Sequence, residues 1–363
     1  MTLTFYTYTN FATELAQFLQ KYSSEEVVLC PIEKPKDLKP KSERKCRFCA
    51  RSVPQTTFNN EPHVIPHLLG NRYWVSDFEC DSCNTAFGKY ENDLAYFLGI
   101  TRTFQGVKNK DNKVPVFKSS GGLLSVRTQD FHGIENGLKI DLGEINQRNF
   151  KFNLETGKTT LKYIKNKYIP LNVYKSFLKI ALSVLPIRYL DNYWRTFQLL
   201  AVDSDQFRDV AKVMIHELPN HHNVGIPVCY LFTKKNKSKK LITHIFAFYF
   251  QNLIFQFIIP LFDKDIEIGL YNGNTFTVPT CPPLLLFKPE PDLNYSGEIR
   301  DFSSTESINE EGMISFETNP ETLKNFQAYD PKTGKSSPTS LNSEDIVAIY
   351  LAPAGSKMSF QKS

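Results

Sequence analysis

Two Cys-x-x-Cys pairs constrain this chain more than any other feature of its sequence. Cys46 and Cys49 form the first pair, Cys80 and Cys83 form the second, and thirty residues lie between the pairs. Each pair presents two thiolates on one turn, and two such turns complete the tetrahedral coordination that zinc prefers. Because protein ligands fill all four positions and leave none for water, the spacing predicts a closed structural zinc site.

The remaining cysteines favour a reducing environment. The chain has seven cysteines, an odd number, and three of them stand singly. Secreted disulfide frameworks use even numbers of cysteines, whereas tight Cys-x-x-Cys pairs are typical of metal sites in a reduced compartment. We therefore expect a cytoplasmic protein, and the polar start of the chain, which does not resemble a signal peptide, agrees with that expectation.

Length and composition predict a globular protein with more than one structural unit. The 363 residues exceed one typical core, and 41% hydrophobic with 13% aromatic residues excludes a wholly disordered chain. The net charge of +5 permits a nucleic-acid partner without requiring one. The uncharged stretch 245–262 approaches the length of a membrane span, but Gln251 and Asn252 interrupt it. We interpret it as two strands and a turn, and expect no membrane association.

Changes of pattern along the chain predict four segments. They are residues 1–45 (an N-terminal helix and a basic linker), 46–98 (the zinc unit), 99–288 (a β-rich α+β domain for regulation or recognition) and 289–363 (a loosely ordered segment with a late strand near 346–351). The fold class is therefore α+β, with a small zinc-stapled unit followed by a larger β-rich domain. The linker at 34–45 is either a solvated connector or an arm that contacts phosphates.

Within the larger domain, hydrophobic periodicity predicts particular elements. Helical spacing bounded by prolines predicts a helix at 171–185, and a second helix is expected at about 203–216. β-branched and aromatic runs predict strands at 228–232, 241–250 and 253–260, which would form an antiparallel meander.

The residues between and after the cysteine pairs carry a resemblance to a known family. The matching text is His63-Val64-Ile65-Pro66, then Leu69-Gly70-Asn71, then Cys80-Asp81-Ser82-Cys83-Asn84 and Phe87-Gly88-Lys89-Tyr90-Glu91. Over about residues 44–98 this text resembles the HNH endonucleases, the ββα-metal nucleases, in the subgroup with two zinc knuckles. The resemblance implies a β-hairpin and a helix around a catalytic ion, and hydrolysis of phosphodiester bonds in DNA.

The resemblance also implies roles for single residues. His63 matches the general base, whose neutral imidazole takes a proton from the attacking water. Asn84 matches the residue that opens the helix and holds a hard catalytic ion, Mg²⁺ or Mn²⁺, through its amide oxygen. Asp77 stands where the family often has its middle asparagine, which fixes the loop that carries the histidine.

One position departs from the family pattern. The acidic metal ligand expected directly before the histidine is replaced by Pro62. Glu61, one residue further back, could substitute for it if the strand bulges. Glu91 lies on the same helical face as Asn84 and is a further candidate ligand.

Two functions of different classes stay open. The first is a metal-dependent DNA endonuclease that its C-terminal domain controls through an activating nucleotide or a partner protein, with a role in bacterial anti-phage defence. The second is a non-catalytic zinc ribbon that binds nucleic acid or protein without cutting it. In the second case His63 would be a structural histidine and Asn84 a helix cap.

Overall fold

Two structural units, each built from two separate stretches of chain, make up the computed structural model. Unit 1 comprises Met1–Leu94 and Ile169–Ser307, and unit 2 comprises Ala95–Tyr168 and Ile308–Ser363. The sequence predicted four consecutive segments, whereas each of these units combines two distant stretches. The four segments remain a prediction of functional domains. The structure describes residues 4–131, 134–143, 150–153, 155–200, 210–219, 224–235, 238–272, 276–285, 288, 290–293, 297–317, 327–330, 335–338 and 348–352.

Helices and strands are interspersed along the described residues, which confirms the α+β class. The α-helices are α1 (Ala12–Lys21), α2 (Asp81–Leu98), α3 (Thr101–Phe104), α4 (Pro170–Val184), α5 (Ile187–Leu190), α6 (Trp194–Leu200) and α7 (Asp263–Glu267). The strands are β1 (Tyr22–Leu29), β2 (Phe117–Lys118), β3 (Leu124–Phe131), β4 (Ile134–Leu142), β5 (Phe150–Phe152), β6 (Lys158–Ile164), β7 (Lys212–Glu217), β8 (Val228–Lys234), β9 (His244–Phe250), β10 (Leu253–Ile258), β11 (Glu298–Asp301), β12 (Glu311–Glu317), β13 (Gln327–Asp330), β14 (Lys335–Pro338) and β15 (Ala348–Leu351).

A six-stranded antiparallel sheet forms the core of unit 1, in the order β1-β8-β9-β10-β7-β11. Strand β9 is buried at every position, which agrees with the apolar and aromatic run that follows His244. Gln251, with φ of 55°, turns the chain from β9 into β10. The predicted hairpin is therefore confirmed, and no helix among the described residues is long and apolar enough to cross a membrane.

Helix α4 packs on this sheet and confirms the helix predicted at 171–185. Pro170 occupies its first turn, where the missing N–H costs no hydrogen bond. Every residue from Pro170 to Ser183 is buried, and the ring of Phe177 lies 4.6 Å from that of Phe255 on β10. A polar side chain on a helix that is buried on all sides needs a hydrogen-bond or charge partner inside the protein. Lys175 and Lys179, which are charged and buried, are therefore unusual in α4.

The prediction of a second helix at about 203–216 is wrong for residues 212–216. Residues 212–217 form strand β7, which pairs with β10 on one side and β11 on the other. Because this short segment pairs with a strand on each side, it is extended although its local sequence pattern favours a helix. The rest of that prediction, residues 203–209, lies outside the described residues.

Unit 2 contains the sheets β15-β4-β3-β2 and β12-β6-β5, whose apolar faces supply one core, and the separate two-stranded sheet β13-β14. Phe117, Val126, Ile140 and Leu161 are buried in it. The late strand predicted near 346–351 is confirmed in its described part, because β15 pairs antiparallel with β4.

Candidate active site

The four cysteines of the two Cys-x-x-Cys pairs converge on one point. Their sulfur atoms all lie within 4.8 Å of one another, and both Cys46–Cys83 and Cys49–Cys80 are 3.7 Å apart. Four thiolates bound to one zinc at about 2.3 Å place their sulfurs roughly 3.8 Å apart. The predicted cluster is therefore confirmed, and its geometry is consistent with a structural zinc.

Local backbone structure presents each cysteine pair. In the first pair, the N–H of Cys46 donates to the carbonyl of Arg51 (2.8 Å), and Ala50 turns the chain with a φ of 60°. In the second pair, Cys80 directly precedes α2, and its carbonyl accepts the N–H of Asn84 at 2.9 Å. One pair thus sits on a tight turn and the other at the start of a helix.

Arg47 fastens the first cysteine pair to the end of α4. Its guanidinium donates to the carbonyls of Leu182 (3.0 Å), Ser183 (2.5 Å) and Leu185 (3.3 Å), and it lies 3.9 Å from the ring centre of Phe78. The last carbonyls of a helix lack partners inside the helix and favour a positive charge. The zinc cluster is therefore anchored to the large sheet domain through α4.

His63 lies in a short antiparallel hairpin between the cysteine pairs. The N–H of Val64 donates to the carbonyl of Trp74 (3.0 Å), and the N–H of Ser76 donates to the carbonyl of Pro62 (2.7 Å). Pro62 lacks an N–H, but this pairing uses only its carbonyl, so the proline does not break the hairpin. His63 is half-buried between these two paired positions.

Asn71 holds the loop of this hairpin in place. Its amide nitrogen donates to the carbonyls of Ile65 (2.7 Å) and Trp74 (3.0 Å). Its amide oxygen accepts the N–H groups of Tyr73 (3.2 Å) and Trp74 (2.8 Å), and the thiol of Cys30 (3.2 Å). Asn71 is fully buried, so each of these bonds replaces one that water would otherwise make.

The loop-fixing contacts therefore belong to Asn71 rather than to Asp77. A carboxylate can only accept hydrogen bonds, whereas the amide of Asn71 both donates and accepts. Asp77 instead accepts the backbone N–H of Lys39 at 3.0 Å. A catalytic role for Asp77 stays a prediction. Asn71 was part of the matching text, but nothing in the sequence separates its role from that of Asp77.

A buried ammonium group lies directly behind His63. Nζ of Lys179, on α4, donates to the carbonyl of His63 at 2.7 Å. The same atom lies 3.1 Å from Oε2 of Glu79 and 3.7 Å from Oε1 of Glu91. Lys179 and Glu79 are fully buried, whereas the Glu91 side chain is 30% exposed. The ammonium group of Lys179 therefore connects the hairpin, the residue before the second cysteine pair and α2.

Sequence reasoning missed both Lys179 and Glu79. Lys179 is more than eighty residues beyond the predicted zinc unit, and Glu79 directly precedes Cys80. The one available signal is a lysine at a core position of an apolar helix, which requires a buried partner of opposite charge.

The environment of His63 favours its neutral form. The pKa of His63 is lowered to about 4, first by burial and then by the nearby charges of His67 and Lys179. Nδ1 of His63 is buried and has no hydrogen-bond partner among the described residues. The ring of His67 stands perpendicular to it at 5.2 Å. A neutral imidazole can accept a proton at its unprotonated ring nitrogen.

The predicted ligands of the catalytic ion are spread around this hairpin and helix. Asn84 is half-buried in the first turn of α2, and Glu91 lies two turns further along the same helix, beside Lys179. Glu61 is exposed and pairs with Lys34 at 2.6 Å, a hydrogen bond that lowers the pKa of the Glu61 carboxyl.

These residues do not assemble a ligand set for a hard divalent ion. Among the described residues, the four cysteines are the one group of three or more acidic, imidazole or thiol ligands that converge. Both candidate carboxylates have a lysine nearby instead. Asn84, Glu61 and Glu91 as ligands of Mg²⁺ or Mn²⁺ stay a prediction.

Comparison with known proteins gives one match. A family model described as HNH endonuclease matches residues 46–93. The matched stretch contains both cysteine pairs, the hairpin of His63 and the first part of α2, but not Lys179. No curated protein and no solved structure matches the chain.

Proposed function

Residues 46–93 form an HNH endonuclease domain around a four-cysteine cluster, and from this premise we propose that the protein hydrolyses phosphodiester bonds in DNA. The observation that supports this most directly is the placement of His63. Its backbone is held by the hairpin and by Lys179, while Nδ1 of its ring is left without a partner. A general base needs a fixed position and an unprotonated ring nitrogen, and the fixed position is what the hairpin and Lys179 supply.

His63 is proposed as the residue that takes the proton from the attacking water. A base with a pKa of about 4 is deprotonated at neutral pH, but it is a weak base. A substrate phosphate beside the ring would add a negative charge, which opposes the positive charges of Lys179 and His67 and raises the pKa of His63. Substrate binding therefore strengthens the base at the time it is needed.

Asn71 and Lys179 are proposed to position the base without touching the substrate. Asn71 fixes the loop between the hairpin arms, and Lys179 fixes the carbonyl of His63 itself. Because a shift of about 1 Å can cost roughly a hundredfold in rate, such contacts matter for catalysis as well as for stability.

The HNH family implies a catalytic Mg²⁺ or Mn²⁺, which when bound polarises the phosphate and stabilises the leaving oxygen. We propose Asn84 as a ligand, with Glu61 or Glu91 as the accompanying carboxylate. Because the described residues do not form that ligand set, we assign no step to the ion. Control by the C-terminal part of the chain, through a nucleotide or a partner protein, and a role in anti-phage defence are further proposals that rest on the family resemblance.

The lack of a second ligand cluster among the described residues favours one competing function. In it, the domain keeps the HNH fold and its structural zinc but binds nucleic acid without cutting it. Pro62, at the position where an acidic ligand is expected, agrees with this alternative.

Plasmid cleavage distinguishes the two functions. The wild-type protein and the variants His63→Ala and Asn84→Ala are incubated with supercoiled plasmid and Mg²⁺ or Mn²⁺, after zinc content and unfolding temperature have been matched. We expect cleavage by the wild-type protein and its loss in both variants. Equal cleavage by wild type and His63→Ala would refute the assignment of the base. Binding of DNA without cleavage, with either ion, would favour the non-catalytic function.

A further inference from the structure

The basic linker, residues 34–45 (KPKDLKPKSERK), carries most of the net charge of the protein. It contains six basic and two acidic side chains, a net charge of +4, whereas all 363 residues together carry +5. Its five lysine residues are all exposed. The remainder of the chain is therefore close to neutral, and one short segment is a concentrated polycation.

Two contacts hold this linker against the hairpin that carries His63. Nζ of Lys34 pairs with Oε1 of Glu61 at 2.6 Å, at the start of the first hairpin arm. The backbone N–H of Lys39 donates to Oδ2 of Asp77 at 3.0 Å, just after the second arm. The linker thus lies beside the active site instead of extending into solvent as a simple connector.

The linker also has internal structure. Residues Lys41–Glu43 form a single 3₁₀ turn, and Nε of Arg44 donates to the carbonyl of Lys39 at 2.9 Å. The pKa of Glu61 is lowered first by its hydrogen bond to Lys34 and also by the charge of Lys41, which places Lys41 near the same hairpin arm. Two of the linker lysines, Lys34 and Lys41, therefore act on Glu61 at the start of the first hairpin arm.

We propose that the basic linker binds the phosphate backbone of duplex DNA, and that Glu61 and Asp77 fasten it beside His63. Exposed ion pairs add little stability, so the pair between Lys34 and Glu61 biases the position of the linker and contributes little to folding. Exposed lysines release the counterions of DNA when they reach its phosphates, which makes binding favourable and dependent on salt. The choice of DNA as the polyanion rests on the proposed nuclease function.

Salt-dependent binding tests this role. The variant Lys36→Gln/Lys41→Gln/Lys45→Gln removes three exposed side-chain charges that form none of the hydrogen bonds or ion pairs described above. The matched control, Lys108→Gln/Lys110→Gln/Lys113→Gln, removes three exposed charges from a basic segment of unit 2. The Kd for a labelled DNA duplex is measured against salt concentration, with EDTA present so that cleavage does not interfere.

We expect the linker variant to bind more weakly and to lower the slope of log Kd against log salt by up to about 2.7, or ~0.9 for each phosphate that the variant no longer neutralises. The control should keep the wild-type slope. Equal effects of both variants, no effect of the linker variant, or no duplex binding by the wild-type protein would each overturn the proposal. Tighter binding of single-stranded RNA than of duplex DNA would overturn the choice of partner.

Two further measurements separate this role from the nuclease function. Binding in EDTA does not require catalysis, so His63→Ala should retain the wild-type Kd. If that variant binds while the wild-type protein cuts nothing, the linker proposal stands and the nuclease proposal fails. Hydrogen exchange at the amide of Lys39 tests the fastening, because Asp77→Ala should speed exchange there and leave unit 2 unchanged. Unchanged exchange in that variant would refute the anchoring role of Asp77.

Discussion

Replacing Lys179 with methionine should destabilise unit 1 by up to about 5 kcal/mol at pH 7, because the change leaves the carboxylate of Glu79 buried without its counter-charge. Nζ of Lys179 lies 3.1 Å from Oε2 of Glu79, and the two side chains are 2% and 0% exposed. Methionine has a similar length and no charge, so the substitution removes the ammonium while it keeps most of the packing.

The size of this loss of stability follows from the cost of protonating the Glu79 carboxylate once its partner is removed. Burial raises the pKa of Glu79, and the charge of Lys179 opposes that rise in the wild-type protein. If Glu79 is protonated in the folded variant, with an unfolded pKa of about 4.3, folding at pH 7 loses about 3.7 kcal/mol. The lost hydrogen bond to the carbonyl of His63 adds about 1 kcal/mol. The sum lies within the roughly 3–5 kcal/mol expected for breaking a buried ion pair.

The sign of the pH dependence is a sharper test than the magnitude. A carboxyl whose folded pKa lies above its unfolded value loses stability as pH rises, and recovers it as pH falls toward the unfolded value. The deficit of Lys179→Met relative to wild type should therefore shrink between pH 7 and pH 5, by at most about 2.5 kcal/mol, because the pKa of Glu79 is already raised in the wild-type protein.

Urea unfolding followed by tryptophan fluorescence measures these differences. Both tryptophans of the chain, Trp74 and Trp194, lie in unit 1, so the signal reports on that unit. Glu79→Gln/Lys179→Met should recover most of the loss, because it leaves no buried charge.

An exposed ion pair in unit 2 supplies the control, measured by circular dichroism. Lys162 pairs with Glu311 at 2.6 Å, but these side chains are 40% and 53% exposed, so Lys162→Met should cost less than about 1 kcal/mol. The reasoning would be refuted by a deficit in Lys179→Met that is the same at pH 5 and pH 7, or by a double variant no more stable than the single one.

Three further predictions concern the zinc cluster, helix α2 and the base. Cys80→Ser should lower bound zinc from about one per chain to none and unfold the HNH domain while unit 2 stays folded; zinc retained at one per chain would contradict the four-cysteine site. Gly88→Ala should stabilise α2 by up to about 1 kcal/mol in thermal unfolding, because apart from the adjacent backbone of its own helix no atom lies within 4 Å of the added methyl group, and a loss of stability would contradict that open space. The value of kcat/KM for cleavage should stay level between pH 8 and pH 6, because it reports the free protein, in which His63, with a pKa of about 4, remains deprotonated; an inflection of kcat/KM near pH 6.5 would contradict the low pKa.

Local chemistry made a substantial part of this protein predictable from its sequence. The two cysteine pairs could be predicted to converge, because zinc coordination depends on ligand type and on short spacing within each pair. Helix α4 and the hairpin of β9 and β10 follow from hydrophobic periodicity and from the turn at Gln251. His63 was found from the residues around it, since the family motif lies within one short stretch.

The surroundings of the site were decided by contacts between distant parts of the chain. Lys179 reaches His63 across more than a hundred residues, and Arg47 reaches the end of α4 across a similar separation. Neither partner can be read from local pattern, because many distant lysines and carbonyls offer the same chemistry. The resemblance gave the loop-fixing position to Asp77, and only the folded loop shows that Asn71 lies inside it and makes those contacts.

The sequence by itself therefore determined the metal cluster, the α+β class and the residue proposed as base, since each depends on short-range spacing. The tertiary structure alone decided that α4 supplies a buried cation to the HNH domain, that residues 212–217 are a strand, and that Glu61 and Asp77 contact the basic linker. These outcomes depend on which surfaces meet when the whole chain buries its apolar area and pairs its charges. That is a property of the complete fold and not of any one segment.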